Sequence, residues 1–257
     1  MTDVPHISAS QINRFLTEPA LWVVEKFFNI KSTAGPGAWR GSACEAAMDV
    51  VLFQDADDAA ALAAAHDRFE QDAQGDLSAD VVKARDELTL YLANLLPVAR
   101  KLRAEKGTPL VRQARIELDL PGITARLIGY VDYLYDDFGL DLKTVGRLPS
   151  FTDADPPRIK DKADHLRQMA IYATAKSRPF KLLYVTPGKK KDPVLYPVCD
   201  EEVSAGMRQV MAAARAMDRL LKNPDPSAWS MMYPPRDLDG YMWDDVTRTK
   251  AREIWNL

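Results

Sequence analysis

The sequence predicts an α/β protein in which helices cover a central mixed β-sheet. Up to Lys106, apolar residues recur mainly at helical spacing, which predicts an additional N-terminal helical region. After Gly107 the pattern changes to short runs rich in β-branched and aromatic residues, and a helix and a further strand then follow. This order of helices, three strands, a helix and a strand is typical of a sheet with helices packed on it.

Two short helices open the chain, and longer helical segments follow them. Ser8 or Ser10 can cap the first helix, and Pro19 is well placed to begin the second. Gly35 and Pro36 mark a loop over residues 29–40. The predicted helices of this region are residues 11–16, 20–28, 41–53, 55–74 and 78–105.

Three strands form the predicted centre of the sheet. Pro121 and Gly122 form the turn between the first two, and a second turn covers residues 136–139. Because these links are too short for crossovers, we expect the three strands to pair as an antiparallel meander. The predicted strands are residues 111–120, 123–135, 140–144, 182–186 and 194–198, and the helices among and after them are residues 161–176, 201–221 and 245–255.

The composition excludes several classes of protein. The 257 residues are 47% hydrophobic and 28% charged, which is not the composition of a disordered or fibrous chain. No apolar run reaches the ~18 residues of a membrane span, and the N-terminus does not resemble a signal peptide, so we expect a cytoplasmic protein. Cys44 and Cys199 cannot frame a disulfide scaffold or complete a four-ligand zinc or iron–sulfur site by themselves. We expect a single domain over 1–257, with a helical region at 1–106, a sheet core at 107–200 and a C-terminal helix and tail at 201–257.

Positive charge is concentrated in one segment. The formal net charge is −3, yet residues 143–191 carry twelve Lys or Arg against four Asp. Such a segment can bind phosphate groups whatever the total charge of the chain. An ordinary solvated surface explains the same composition equally well.

The third predicted strand carries two opposite charges between apolar neighbours. Alternation places Asp141 and Lys143 on one face of the sheet and leucines on the other. Asp132, just across a tight turn, can bring a second carboxylate close to Asp141. Crowded carboxylates repel unless a cation joins them, and Mg²⁺ prefers oxygen ligands. The alternatives are a structural ion pair at a sheet edge and, for Glu45 on the helix over residues 41–53, an ordinary solvated side chain.

A polar stripe on the next helix lies near these charges in sequence. His165, Gln168 and Tyr172 stand at i, i+3 and i+7, which places them on one helix face. Such a stripe is most often ordinary surface. Here it follows the charged strand and falls within the basic segment.

Together these residues resemble the PD-(D/E)XK nuclease superfamily, and most closely its RecB-like and phage lambda-exonuclease-like branch. The resemblance rests on Glu45, Gly129-x-x-Asp132, Asp141-x-Lys143 and Gln168-x-x-x-Tyr172, which occur in the family's order over roughly residues 8–200. It implies a restriction-endonuclease-like core of one helix, three strands, a helix and a strand. It also implies an Mg²⁺-dependent DNA nuclease, most closely an exonuclease that acts at duplex ends in recombination, repair or phage DNA processing.

The resemblance assigns a role to each site residue. Glu45, Asp132, Asp141 and the backbone carbonyl of Leu142 would bind Mg²⁺, for which Mn²⁺ can substitute. Lys143 would orient or deprotonate the attacking water, and we expect burial and the metal to lower its pKa. Gln168 and Tyr172 would contact the DNA backbone or steady the site. Unlike several relatives, the chain lacks the cysteines of an iron–sulfur cluster, so we expect none.

The expected partner is DNA, as linear duplex or single-stranded ends. A single-strand annealing protein or a helicase can serve as a protein partner, and a homo-oligomer is compatible with the family. An endonuclease, a CRISPR-adaptation-type nuclease and a non-catalytic DNA-binding protein on the same fold are the alternatives. The candidate phosphate contacts are Arg167, Lys176, Lys189, Lys190 and Lys191.

Overall fold

The computed structural model describes residues 6–30, 34–188, 192–223, 225, 231–240 and 242–257. The N-terminal elements are β1 (His6–Ser8), α1 (Ala9–Thr17), α2 (Pro19–Phe27), α3 (Pro36–Gln54), α4 (Asp58–Ala73) and α5 (Ala79–Lys106). The sheet and its helices follow as β2 (Val111–Leu118), β3 (Arg126–Leu134), β4 (Gly139–Thr144), α6 (Ala163–Lys176), β5 (Phe180–Val185), β6 (Val194–Pro197), α7 (Asp200–Lys222) and α8 (Asp245–Trp255).

The local sequence explains where the first helices begin. The Ser8 hydroxyl accepts a hydrogen bond from the Gln11 N–H at 3.2 Å and caps α1, as predicted. Pro19 lies in the first turn of α2, where its missing N–H leaves no helical hydrogen bond unmade. Pro36 plays the same part in α3, so this helix begins inside the predicted loop.

A six-stranded mixed sheet forms the centre of the fold, which confirms the predicted class. The strands run in the order β1-β3-β4-β5-β6, and β2 pairs with the other edge of β3. Pairing is parallel between β1 and β3 and between β4 and β5, and antiparallel in the other pairs. β1 adds to the predicted elements, because a strand of three residues is too short to show an alternation.

The β3–β4 pair separates soon after its turn. Only Tyr133 with Leu140 and Leu134 with Gly139 are paired, whereas β2 follows β3 over almost its whole length. The three strands are therefore antiparallel as expected, but the β3–β4 pairing is a short contact beyond which the two strands diverge. On its other edge, β4 pairs along its full length with β5. The divergence opens a gap between Asp132 and Asp141.

Two hydrophobic cores lie against the sheet. Side chains of α1, α6 and α7 pack with Leu127, Val131 and Leu182 in the first core. Side chains of α3, α4 and α5 pack with Leu140, Leu142 and Leu183 in the second. Alternate residues of β5 thus belong to different cores, as a strand covered on both sides requires, whereas β4 contributes leucines to the second core alone. A small third cluster joins α2 to α8.

The remaining predicted elements are present with displaced ends. α6 begins at Ala163 rather than at residue 161, and β3 begins at Arg126 rather than at residue 123. Within the described ranges, no helix has both the length and the apolar character that crossing a membrane requires.

Candidate active site

Asp141 and Lys143 lie on the face of β4 opposite its leucines, as the alternation predicts. Leu140 and Leu142 belong to the second core. Lys143 instead points towards α6, where its Nζ donates to Gln168 Oε1 at 2.9 Å. Asp141 is almost completely buried, with 1% of its surface exposed, and its Oδ2 lies 2.5 Å from Lys143 Nζ. The two charges therefore form a contact ion pair within the protein.

The divergence of β3 from β4 explains the position of Asp132. Beyond Leu140 the strands no longer exchange backbone hydrogen bonds. The Asp132 carboxylate lies in this gap, where its Oδ2 accepts a hydrogen bond from the Leu142 N–H at 2.9 Å. A side chain thus replaces the missing backbone partner and holds the Asp132 carboxylate beside β4.

Helix α3 supplies Glu45 to the same region. The helix lies close to β4 at Gly41, where a Cβ would be in ordinary contact with Thr144 Oγ1 at 3.5 Å. Further along α3, the Glu45 carbonyl and the Asp49 carboxylate accept hydrogen bonds from the Tyr133 hydroxyl at 3.2 and 3.0 Å. These contacts place Glu45 over the end of β3.

Gln113 of β2 connects Glu45 with Asp132. Its side-chain Nε2 donates to Glu45 Oε2 and to Asp132 Oδ1, each at 3.2 Å. Our sequence reasoning missed this residue. The hairpin register was the available signal, because the pairs on either side place Gln113 opposite Asp132.

The three carboxylates act on one another electrostatically. Burial raises the pKa of Glu45 to about 7, and the charges of Asp141 and Asp49 act in the same direction. Burial, then Asp141, then Glu45, raise the pKa of Asp132 well above its ordinary value. Burial also raises the pKa of Asp141, although Lys143 opposes this. Glu45, Asp132 and Asp141 thus form a cluster of carboxyl groups in which ionisation concentrates negative charge.

Lys143 is the positive group of this site. Burial acts to lower its pKa, but Asp141 and Asp132 outweigh burial and raise the pKa above its ordinary value. The surrounding side chains alone therefore raise the pKa of Lys143, and the lowered pKa that we expect with the metal bound stays a prediction.

Gln168 and Tyr172 extend the site along α6. Gln168 Nε2 donates to the Tyr172 hydroxyl at 2.8 Å, so a chain of two hydrogen bonds runs from Lys143 to Tyr172. Gly129 makes room for the tyrosine, because a Cβ at this position would lie 2.8 Å from Tyr172 Cε1. His165, on the same helix face, lies 3.0 Å from the Tyr184 hydroxyl through Nδ1.

The sequence as a whole matches a known family. A family profile described as the PD-(D/E)XK nuclease superfamily matches residues 6–253. The chain belongs to this superfamily. Glu45, Asp132, Asp141, Lys143 and Gln168, which carried the resemblance, are the residues that the structure brings together.

Comparison with solved structures supports the fold of this PD-(D/E)XK nuclease. A crystal structure named "Putative exonuclease" from Eubacterium rectale has a TM-score of 0.59 and 16% sequence identity, covering 96% of this chain and 88% of that one. At this identity the likeness shows the fold alone. A second structure, SSO0001, has a TM-score of 0.33 and 17% identity over 67% of this chain and 73% of its own, which is too weak a likeness to support an argument. No matching sequence is found among curated proteins.

The donor set of the PD-(D/E)XK site suits a hard divalent cation. The side-chain ligands that converge here are carboxylate oxygens, and Asp141 Oδ1 is buried without a hydrogen-bond partner. In the described part of the chain, no three His, Cys, Asp or Glu side chains already form a metal cage. The Lys143 ammonium and the Gln113 amide lie against the carboxylates instead. Binding of a cation would require the carboxylates to close around it.

Two of the predicted phosphate contacts, Arg167 and Lys176, lie on α6. Arg167 is buried, and its guanidinium donates to Asn13 Oδ1 at 2.7 Å and to Gln209 Oε1 at 2.8 Å. It connects α6 with α1 and α7 and is not placed beside the carboxylates. Lys176 lies in the last turn of α6, two turns beyond Gln168. The predicted contacts at Lys189, Lys190 and Lys191 lie outside the described residues.

Proposed function

We propose that this nuclease is an Mg²⁺-dependent deoxyribonuclease that removes nucleotides from the ends of linear DNA. The observation that carries the proposal is the convergence of Glu45, Asp132 and Asp141 on one partly buried ammonium group, Lys143. The family supports hydrolysis of phosphodiester bonds, and the name of the Eubacterium rectale protein favours attack from DNA ends. We assign the chain to the RecB-like and lambda-exonuclease-like branch on its motifs. Such an activity serves recombination, repair or phage DNA processing.

Mg²⁺, bound by Glu45, Asp132, Asp141 and the Leu142 carbonyl, would neutralise charge on the scissile phosphate and lower the pKa of a bound water. Lys143 is the residue of this chain that orients the reactants. Its protonated Nζ is fixed between Asp141 Oδ2 and Gln168 Oε1, so its remaining N–H can donate to a phosphate oxygen or to the attacking water. Because the Lys143 ammonium is held in place before the reaction, it can stabilise developing negative charge without any rearrangement of the site.

An exposed part of β2 and β3 gives the substrate access to the site. Tyr130 is 48% exposed, which is unusual in an otherwise largely buried strand, and it lies two residues before Asp132. Arg115 of β2 is directly opposite Tyr130. An aromatic ring can stack on a nucleobase while an arginine contacts phosphate, and both interactions are independent of sequence. We expect Tyr130→Ala to raise the KM for DNA several-fold and to leave kcat within twofold of wild type.

Digestion of end-labelled linear duplex tests the proposed activity. The wild type, Asp141→Asn and Asp136→Asn are incubated with Mg²⁺ or with a chelator. Asp136 is a matched control, because it is an exposed aspartate in the turn between β3 and β4. We expect wild type and Asp136→Asn to cleave only with Mg²⁺, and Asp141→Asn to lose at least about a hundredfold in rate. Cleavage by Asp141→Asn at the rate of wild type would overturn the assignment.

Closed circular DNA separates the alternatives. An exonuclease degrades linear duplex and leaves covalently closed circles intact, whereas an endonuclease of the same fold cuts both. A non-catalytic DNA-binding protein would bind the labelled duplex but would not shorten it, whichever divalent metal ion is present. RNA of the same sequence tests the preference for DNA.

A further inference from the structure

We propose that Gln113 is the residue that positions Glu45 and Asp132 for binding of the divalent cation. This inference rests on the proposed metal-dependent function and adds to it a role for a residue of β2, a strand outside the recognised motifs. Gln113 is a positioning residue in this proposal, since it acts through the two carboxylates.

The contacts of Gln113 connect two elements that otherwise orient their carboxylates independently. Glu45 comes from α3 and Asp132 from β3, and the single Nε2 atom of Gln113 donates to both at 3.2 Å. Asp132 has a second hydrogen bond, from the Leu142 N–H. Among the described residues, no other side chain donates to the Glu45 carboxylate. The orientation of Glu45 therefore depends on Gln113.

The backbone of Gln113 gives independent support. Its φ is +49°, in the left-handed region that side chains other than glycine rarely adopt. The described residues include five other non-glycine positions with positive φ, and each lies at or just beyond the end of a helix, where this conformation is common: Asn29, Asp55, Gln74, Ser177 and Asn256. Gln113 is the exception within a strand. Strained backbone of this kind is concentrated at functional sites.

The residue type fits the proposed role. A lysine or arginine between Glu45 and Asp132 would neutralise them and compete with a cation. The amide of Gln113 is neutral and has two N–H groups on one nitrogen, so it can orient both carboxylates while leaving their negative charge available. Residues that orient metal ligands through hydrogen bonds typically contribute 10- to 100-fold in metal affinity.

Binding of Mn²⁺ in the absence of DNA tests the proposal without reference to activity. Titration calorimetry on the full chain compares wild type with Gln113→Met, which keeps the length of the side chain and removes the donor. Gln113→Gly removes the donor and also relieves the positive φ. Gln74→Gly is the matched control, because Gln74 is an exposed glutamine with φ of +50° at the end of α4.

We expect the Kd for Mn²⁺ to rise about tenfold in both Gln113 variants and to stay within twofold in Gln74→Gly. In a Glu45→Ala background, Gln113→Met should then change the Kd by less than twofold, because the Glu45 carboxylate that Gln113 orients is absent. A Kd within twofold of wild type in both Gln113 variants would overturn the inference and leave the proposed function standing. Weak binding in Gln113→Met together with a wild-type Kd in Gln113→Gly would do the same. Absence of saturable Mn²⁺ binding in wild type would instead refute the metal dependence itself, and the inference with it.

Discussion

Replacing Gly129 with alanine should disturb both the stability and the catalytic site of this nuclease. The new Cβ would lie 2.8 Å from Tyr172 Cε1 and 3.3 Å from Ile116 Cγ1. Carbon atoms in favourable contact are about 3.5–4.0 Å apart, so the tyrosine ring would have to move by about 1 Å. Ile116 and Tyr172 both belong to the first core, which leaves the ring little room for such a movement.

The magnitude follows from two consequences of this displacement. Overpacking of a well-filled core costs about 1–3 kcal/mol, and loss of the 2.8 Å hydrogen bond between Gln168 and Tyr172 adds about 1 kcal/mol. Because alanine is itself about 0.5–1 kcal/mol more favourable than glycine in a strand, we expect the free energy of unfolding to fall by about 1–3.5 kcal/mol in total. Because Gln168 also holds Lys143, a displacement near 1 Å should lower kcat by about 10- to 100-fold.

Urea denaturation and steady-state cleavage of linear duplex measure the two effects. Gly37→Ala is the control, since a Cβ at Gly37 in α3 meets no atom within 4 Å, and its stability should be unchanged or slightly higher. In an unobstructed strand, alanine is about 0.5–1 kcal/mol more favourable than glycine. A Gly129→Ala protein with wild-type or increased stability would therefore refute the packing argument, and unchanged kcat would refute the link from Tyr172 to Lys143.

Two further substitutions test other contacts. Arg167→Met should lower the free energy of unfolding by about 1–3 kcal/mol in urea denaturation, because it removes the hydrogen bonds that the buried guanidinium donates to Asn13 and Gln209. The DNA affinity of this variant at fixed salt should match wild type, and a large loss of affinity would support Arg167 as a phosphate contact. Burial acts to raise the pKa of Asp218, but hydrogen bonds from Lys222 and from the N–H groups of Ala125 and Thr124 outweigh burial and lower the pKa. Asp218→Asn should therefore cost about 1–3 kcal/mol at pH 7, and this difference should shrink as the pH falls through about 4, where the unfolded carboxyl becomes protonated. A difference that is constant between pH 7 and pH 3.5 would contradict this account.

The sequence allowed the sheet to be predicted where its signal is local. The alternation within residues 139–144 correctly separated Asp141 and Lys143 from Leu140 and Leu142. The divergence of β3 from β4 could not be predicted, because alternation along a strand does not show where two paired strands separate. β1 was missed for a related reason, since three residues become a strand only through their pairing with β3.

The same distinction applies to the site. Glu45, Asp132, Asp141 and Lys143 were predicted because their order along the chain resembles a family pattern. Gln113 belongs to no such pattern, and only the register of the β2–β3 pair places it opposite Asp132. The burial of Arg167 could not be predicted, since its charge and its place in a basic segment say nothing about the polar partners that α1 and α7 provide. The pKa of Lys143 likewise depends on the distances to carboxylates from several elements.

The arrangement of the two cores has a consequence for synthesis of the protein in the cell. Glu45 belongs to a helix that packs in the second core, whereas Gln168 belongs to a helix that packs in the first, and the sheet between them carries Asp132, Asp141 and Lys143. A nascent chain that has folded only its N-terminal helices therefore lacks most residues of the proposed site. The proposed site is therefore complete only after α6 has left the ribosome and docked against the sheet, so a shorter nascent chain cannot assemble it.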